Sequence, residues 1–151
     1  MLRKCLILQK KLQKLPKYHS LKSYIEKLLS SDKKEKIKSI VLHGSMARGN
    51  HSYSSDIDLL IIVSEESKKL SERIYEYSEY SNGWVEPLVY TDEEIMKMFN
   101  DFNPLILYAL KDGIIIIDNG FWSRLKKKFD EMEKEGRLKR EGNSWIIKSY
   151  S

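Results

Sequence analysis

The chain has 151 residues, 41% of them hydrophobic, with 27 Lys and Arg against 22 Asp and Glu for a net charge of +5. That length fits one ordinary domain, and the composition excludes a disordered chain or a membrane span, because no apolar run approaches the ~20 residues a bilayer helix requires. The single cysteine, Cys5, excludes an intramolecular disulfide and a Cys-cluster zinc site, while the modest basic excess permits an anionic partner without requiring one.

In chain order, the first segment alternates apolar with basic residues and lacks a signal-peptide core, so it is expected to be retained, in the cytoplasm. Residues 2–15 place Cys5, Leu8, Leu12 and Leu15 on one helical face, and Pro16 ends that helix. Residues 20–30 predict a second helix with Leu21, Tyr24, Ile25 and Leu28 inward, followed by a charged surface connection over Ser31–Lys38. Ile37–Leu42 reads as a first strand running into His43-Gly44-Ser45, then a polar loop over Gly49–Ser55. Asp56–Val63 is the second strand, and its apolar run predicts burial on both faces and a central place in the sheet.

Ser64 can cap a helix from Glu65 to about Tyr80, with Leu70, Ile74 and Tyr77 at helical spacing. Asn82-Gly83 turns the chain into a third strand, Trp84–Tyr90. Thr91-Asp92-Glu93-Glu94 matches a capping box for a helix through Phe99. Asn103 and Pro104 suit the start of the next helix and Gly113 its exit. Ile114–Asp118 reads as a strand, and Phe121–Glu135 as a helix with Trp122, Leu125, Phe129 and Met132 inward, ended by Gly136. The tail carries only a weak strand signal at Trp145–Ile147. Strands alternating with helices predict an α+β fold, a mixed sheet flanked by helices. A single domain over 1–151 is expected: a helical extension (1–36), a core (37–118) and a C-terminal helix and tail (119–151).

The chemistry is concentrated in Gly44-Ser45-Met46-Ala47-Arg48-Gly49 and Ser55-Asp56-Ile57-Asp58. Asp56 and Asp58 stand two apart on a strand, so both carboxylates leave one face while Ile57 points into the core. Like charges so placed repel, and a fold would not select them for stability alone. A pair of divalent cations removes the repulsion and can clamp the attacking and leaving oxygens of a phosphoryl displacement. Gly44 lets a phosphate approach the backbone, and one helical turn over Ser45–Arg48 would present N–H groups to it.

Gly44-Ser45, ten residues, then Asp56-x-Asp58 resembles the signature of the DNA polymerase beta-like nucleotidyltransferase superfamily, and most closely its minimal nucleotidyltransferases. The resemblance runs from about Ile37 to Asp118 and implies the polymerase beta-like fold. It implies a third carboxylate on the next strand, where Glu86 stands in place of the commoner Asp. By this resemblance Asp56, Asp58 and Glu86 are catalytic and hold two Mg²⁺ ions, or Mn²⁺. Gly44, Ser45, Arg48 and Ser55 contact ATP, and AMP passes to an acceptor hydroxyl. The acceptor implied is a tyrosine of a small helical HEPN toxin, which makes the chain an antitoxin. A small-molecule (aminoglycoside-like) nucleotidyltransferase and a non-catalytic masking module are the alternatives. Direct nucleic-acid binding is not expected, since relatives that hold nucleic acid carry further domains.

Each candidate also has a structural reading. Arg48 can pair with a surface carboxylate, and Ser54 and Ser55 suit any polar loop. His43 ends a strand as a packed or hydrogen-bonded residue, while His51 has no evident partner. Glu93 and Glu94 serve helix capping. Trp122 and Phe129 read as core, and Cys5 as a small buried hydrophobe.

Overall fold

The structure is a computed structural model that describes residues 10–50 and 55–148. The expectations for Cys5, Leu8, His51 and Ser54 therefore lie outside the described residues. The chain runs through α1 (Lys10–Gln13), α2 (Tyr18–Leu29), β1 (Ile37–His43), α3 (Gly44–Arg48), β2 (Ile57–Val63), α4 (Leu70–Ser78) and β3 (Val85–Thr91). It continues through α5 (Asp92–Asn100), α6 (Pro104–Asp112), β4 (Ile114–Asp118), α7 (Phe121–Lys134), β5 (Leu138–Glu141) and β6 (Ser144–Ile147).

Four strands form one mixed sheet in the order β3-β2-β1-β4. The hairpin-like neighbours β1 and β2 pair antiparallel, as do β1 and β4, while β2 and β3 run parallel through a crossover that contains α4. The apolar run of β2 thus lies between two strands, as its sequence requires, and each face of the sheet carries its own core. On one face Leu21, Tyr24, Ile25 and Leu28 of α2 cover Ile40, Leu42, Leu59 and Ile61. On the other, Ile95, Phe99, Ile106, Leu110, Trp122 and Phe129 cover Val41, Leu60 and Ile62. Alternation along β1 and β2 sorts these side chains into the two sets. Burying a large aliphatic side chain in this way contributes about 1.5–3 kcal/mol.

Several boundaries differ from the sequence reading, for physical reasons. Helix α2 begins at Tyr18 rather than residue 20, after Lys17 in the left-handed conformation at φ 62°. The connection after it contains a short 3-10 turn, Lys34–Lys36, and β1 begins within the stretch read as connection and extends to His43. Asp56 precedes β2 rather than opening it. The helix expected from Glu65 begins only at Leu70, and Ser64 does not cap it. The Ser64 N–H instead donates to the Lys36 carbonyl at 2.8 Å and prolongs the sheet edge. Glu66 is held by Lys36 and by the Lys68 N–H, which keeps the segment out of the helix. Strand β3 is displaced by one residue, to Val85–Thr91.

Other local signals are realised as expected. Thr91 and Glu94 form a reciprocal capping box on α5. The Asn103 side chain accepts from the Leu105 N–H, and Pro104 opens α6. Gly113 exits α6 in an extended conformation, and its role is space: a Cβ there would collide with the Ala109 carbonyl and with Val41. The tail forms a hairpin of β5 and β6 around Gly142-Asn143, where the sequence analysis found only one strand. Its signal is that Gly-Asn pair, because a two-residue turn with Gly first and φ above zero matches the twist of the flanking strands.

Candidate active site

The site sits where β1 ends, β2 begins and β3 runs alongside. His43 is opposite Asp58 across the β1–β2 ladder, and Asp58 is opposite Glu86 across β2–β3. One row of backbone register therefore carries His43, Asp58 and Glu86 across three strands. Asp56 lies just ahead of β2, where the Ile57 N–H donates to the Trp84 carbonyl at 2.8 Å and fixes the entry to the strand.

Gly44 turns the chain from β1 into α3 at φ +74°, a conformation that glycine adopts without strain. A Cβ at this position would fall on Oδ2 of Asp58, so the Asp58 carboxylate rests directly against the Gly44 backbone. Gly44–Arg48 forms one helical turn, as the sequence suggests, and Gly49 closes it at φ 78° with its N–H donating to the Ser45 carbonyl. The opening N–H groups of such a turn have no intrahelical acceptors. Ser45 is partly exposed at the start of α3, and Arg48 is exposed at its end.

The electrostatics are those of a crowded acidic cluster. Burial and the charge of Asp56 push the Asp58 carboxyl up, and the Arg48 guanidinium opposes them. Glu86 is also pushed up, by burial, by the Asp56 charge, by its hydrogen bond with Asp56 and by the Asp58 charge. The charge of Asp56 thus acts on both Asp58 and Glu86. Their hard oxygen donors suit a hard divalent cation, whose charge would relieve the repulsion that raises them. Among the described residues no three His, Cys, Asp or Glu side chains are gathered closely enough to hold one metal ion together, so the three carboxylates expected to do so do not converge on a single point in this structure. Burial and the nearby Arg48 charge push the His43 imidazole down to about 4, which keeps it neutral near pH 7. His43 is packed, and its Nε2 is buried without a hydrogen-bond partner among the described residues.

Two features at the rim were not found from sequence. Lys17 places its ammonium 3.4 Å from the centre of the Trp84 ring and donates to the Ser55 carbonyl at 2.5 Å, next to Asp56. This clasp joins residues far apart in the chain, and no local pattern marks it. A cleft of about 390 Å³ opens between α4 and β3, with Asp58 and Glu86 at its polar end and Ile74, Val85, Pro87 and Leu88 as apolar walls. The remaining candidates are structural. Trp122 and Phe129 are core, and Glu94 caps α5 while pairing with Arg73.

Residues 24–120 match the family described as polymerase beta, nucleotidyltransferase, and the chain belongs to that family. It is a nucleotidyltransferase of the polymerase beta type. No curated protein matches the chain. Among solved structures, a chain in a variant of the toxin–antitoxin MntA–HpeT is similar at 17% identity and TM-score 0.50, covering 77% of this chain and 88% of that one. A candidate nucleotidyltransferase from Sulfolobus solfataricus is similar at 21% identity and TM-score 0.49, covering 75% and 87%. A chain in the complex of tri-AMPylated Shewanella oneidensis HEPN toxin with MNT antitoxin is similar at 16% identity and TM-score 0.44, covering 75% and 83%.

Proposed function

We propose that this nucleotidyltransferase moves AMP from ATP to a tyrosine hydroxyl of a HEPN-type toxin, with Asp56, Asp58 and Glu86 as the catalytic carboxylates. The observation that carries this reading is the Asp58 carboxylate lying against Gly44, beside Asp56 and Glu86. That juxtaposition puts the opening N–H groups of the α3 turn next to an acidic cluster that repels itself.

The acceptor oxygen forms a bond to the α-phosphorus while the bond from that phosphorus to the pyrophosphate oxygen breaks. Glu86, whose proton affinity its neighbours raise, takes the acceptor's proton. Ser45 and the first N–H groups of α3 orient the phosphates, with Arg48 and Ser55 completing the cradle. Asp56 and Asp58 would hold the divalent cations, Mg²⁺ or Mn²⁺, which neutralise the triphosphate and acidify the acceptor hydroxyl when bound. The half-apolar cleft beside Glu86 suits an aromatic ring that carries the attacking hydroxyl. The toxin partner is inferred from the resemblance to minimal nucleotidyltransferases, and the similar MntA–HpeT chain comes from a toxin–antitoxin pair.

The test incubates the protein with ATP labelled on its α-phosphate, Mg²⁺ and a HEPN-type toxin. Label should appear on a tyrosine of that protein and vanish with the Asp56→Asn, Asp58→Asn double variant. Neutralisation of the toxin by the unlabelled double variant would instead establish a masking module.

A further inference from the structure

Asp56 precedes β2 and so lies outside the ladder that orients Asp58. A side chain ahead of a strand is held only as well as the two planar peptide groups that flank it. Both are tied here. On the strand side, the Ile57 N–H donates to the Trp84 carbonyl at 2.8 Å. On the loop side, the Ser55 carbonyl accepts from the Lys17 ammonium at 2.5 Å, and that ammonium lies 3.4 Å from the centre of the Trp84 ring. Trp84 therefore serves both: its carbonyl holds one peptide group, and its ring holds the cation that holds the other. Lys17 is firmly based in turn. Its carbonyl accepts from the N–H groups of Ser20 and Leu21 at the start of α2, while its side chain caps nothing in that helix. One turn on, the Ser20 hydroxyl accepts from the Asn82 carboxamide at 3.0 Å, and Tyr24 donates to the Tyr77 carbonyl at 2.9 Å from within the core.

We propose that Lys17 is a positioning residue for Asp56: with Trp84 it fixes both peptide groups that bracket this carboxylate and so holds it ready for a divalent cation. The inference deepens the proposed function and rests on it for the role of Asp56. Groups that orient a ligand carboxylate govern cation affinity nearly as strongly as the ligand does. A charged donor on a carbonyl is stronger than a neutral one, and a cation over an aromatic face has its own preferred place. The two contacts together set the height and direction of the ammonium. Trp84 is 40% exposed, so its ring contributes less to the core than to this contact. Lys17 lies ahead of residue 24, where the family match begins, so the clasp belongs to this chain's own N-terminal segment.

The test compares the full chain with Lys17→Met, Lys17→Arg and Trp84→Leu by amide hydrogen exchange without ligand, and by titration of ATP in Mg²⁺ and in EDTA. Lys17→Met should speed exchange of the Ile57 amide at least about tenfold and leave that of Leu60, in the middle of β2, unchanged. It should weaken ATP binding at least about tenfold in Mg²⁺ and not at all in EDTA. Lys17→Arg should restore both values, because a guanidinium keeps the donor and stacks on the ring. Trp84→Leu keeps the carbonyl and loses the ring, so it should weaken binding in Mg²⁺ about threefold. That variant decides the matter should Lys17→Met fail to fold. Unchanged Ile57 exchange, or a loss of ATP affinity equal in Mg²⁺ and EDTA, overturns the inference. A clasp that only pinned α2 would lower the melting midpoint, leave the Mg²⁺-dependent part of ATP binding intact, and overturn it too. The expected variant effects in a protein that transfers AMP to no HEPN-type toxin would sustain the positioning role and defeat the proposed function. Wild-type transfer together with a fully active Lys17→Met would do the reverse, and wild-type ATP binding indifferent to Mg²⁺ would end both.

Discussion

At Gly44 the backbone and the Asp58 carboxylate occupy adjacent space, and φ +74° adds a second reason for glycine. Gly44→Ala should therefore destabilise the protein by about 1–3 kcal/mol in urea unfolding, through left-handed strain and displacement of Asp58. It should also lower nucleotidyl transfer at least about a hundredfold. The acidic cluster carries its own pH signature. Asp58 and Glu86 have folded-state proton affinities raised above those of the unfolded chain. The folded state then binds more protons between the two values, so their contribution to stability falls as pH rises through that window. Without added cations, Asp56→Asn should melt above wild type at pH 7, and the gap should narrow as pH falls towards 4. The Gly-Ser and Asp-x-Asp features were legible because their meaning depends on spacing along a turn and a strand. Glu86 was legible only through the family resemblance, since nothing local aligns it with Asp58 across β2–β3. Arg73 was not legible at all. Its guanidinium is buried, donates to Glu94 and to the Val89 carbonyl, and so depends on partners 21 and 16 positions away.

Among the elements, α7 is anchored by Asp118 at the end of β4. Its Oδ1 accepts from the Ser39 hydroxyl at 2.8 Å, the Gly120 N–H at 3.0 Å and the Trp122 N–H at 3.1 Å, while Oδ2 accepts from the Ser123 N–H and hydroxyl. Burial alone would push this carboxyl up, but hydrogen bonds from Ser123, Ser39, Gly120 and Trp122 outweigh it and hold the carboxyl below its ordinary value. The stabilisation is present above the unfolded value near 4 and is lost as pH falls through the lower folded one. Asp118→Ala should cost about 1–3 kcal/mol at pH 7, with a smaller difference from wild type in acid, read from melting midpoints. Helices with caps of their own, such as α5, could be located from sequence. The start of α4 could not, because Lys36, a residue of another element, competes for Ser64 and Glu66. The β5–β6 hairpin was half legible: Trp145–Ile147 reads as a strand, but Leu138–Glu141 is too charged to show the alternation expected of one.

Across the whole molecule, the sheet places the end of β1 and the start of β2, which carry the candidate site, at one edge of two fully formed cores. Central β2 is buried on both faces, so the carboxylates at its start are held by a strand that cannot shift register without exposing a core. Strand β3 lies at the sheet edge and carries Pro87, which removes a donor that another chain could pair with. A ligand that binds only the folded state should raise stability by about 2.7 kcal/mol at a hundred times its Kd, an upward shift of about 5–10 °C in Tm for a chain of this size. The central claim is that Asp56 and Asp58 hold cations against a nucleotide seated on the Gly44 turn. Calorimetric titration of ATP with and without Mg²⁺, in wild type and in the Asp56→Asn, Asp58→Asn double variant, tests it most directly. The account expects Mg²⁺ to strengthen ATP binding at least about tenfold in wild type and to have no such effect in the variant. ATP affinity that ignores Mg²⁺ in wild type, or an equal Mg²⁺ response in both proteins, would contradict it.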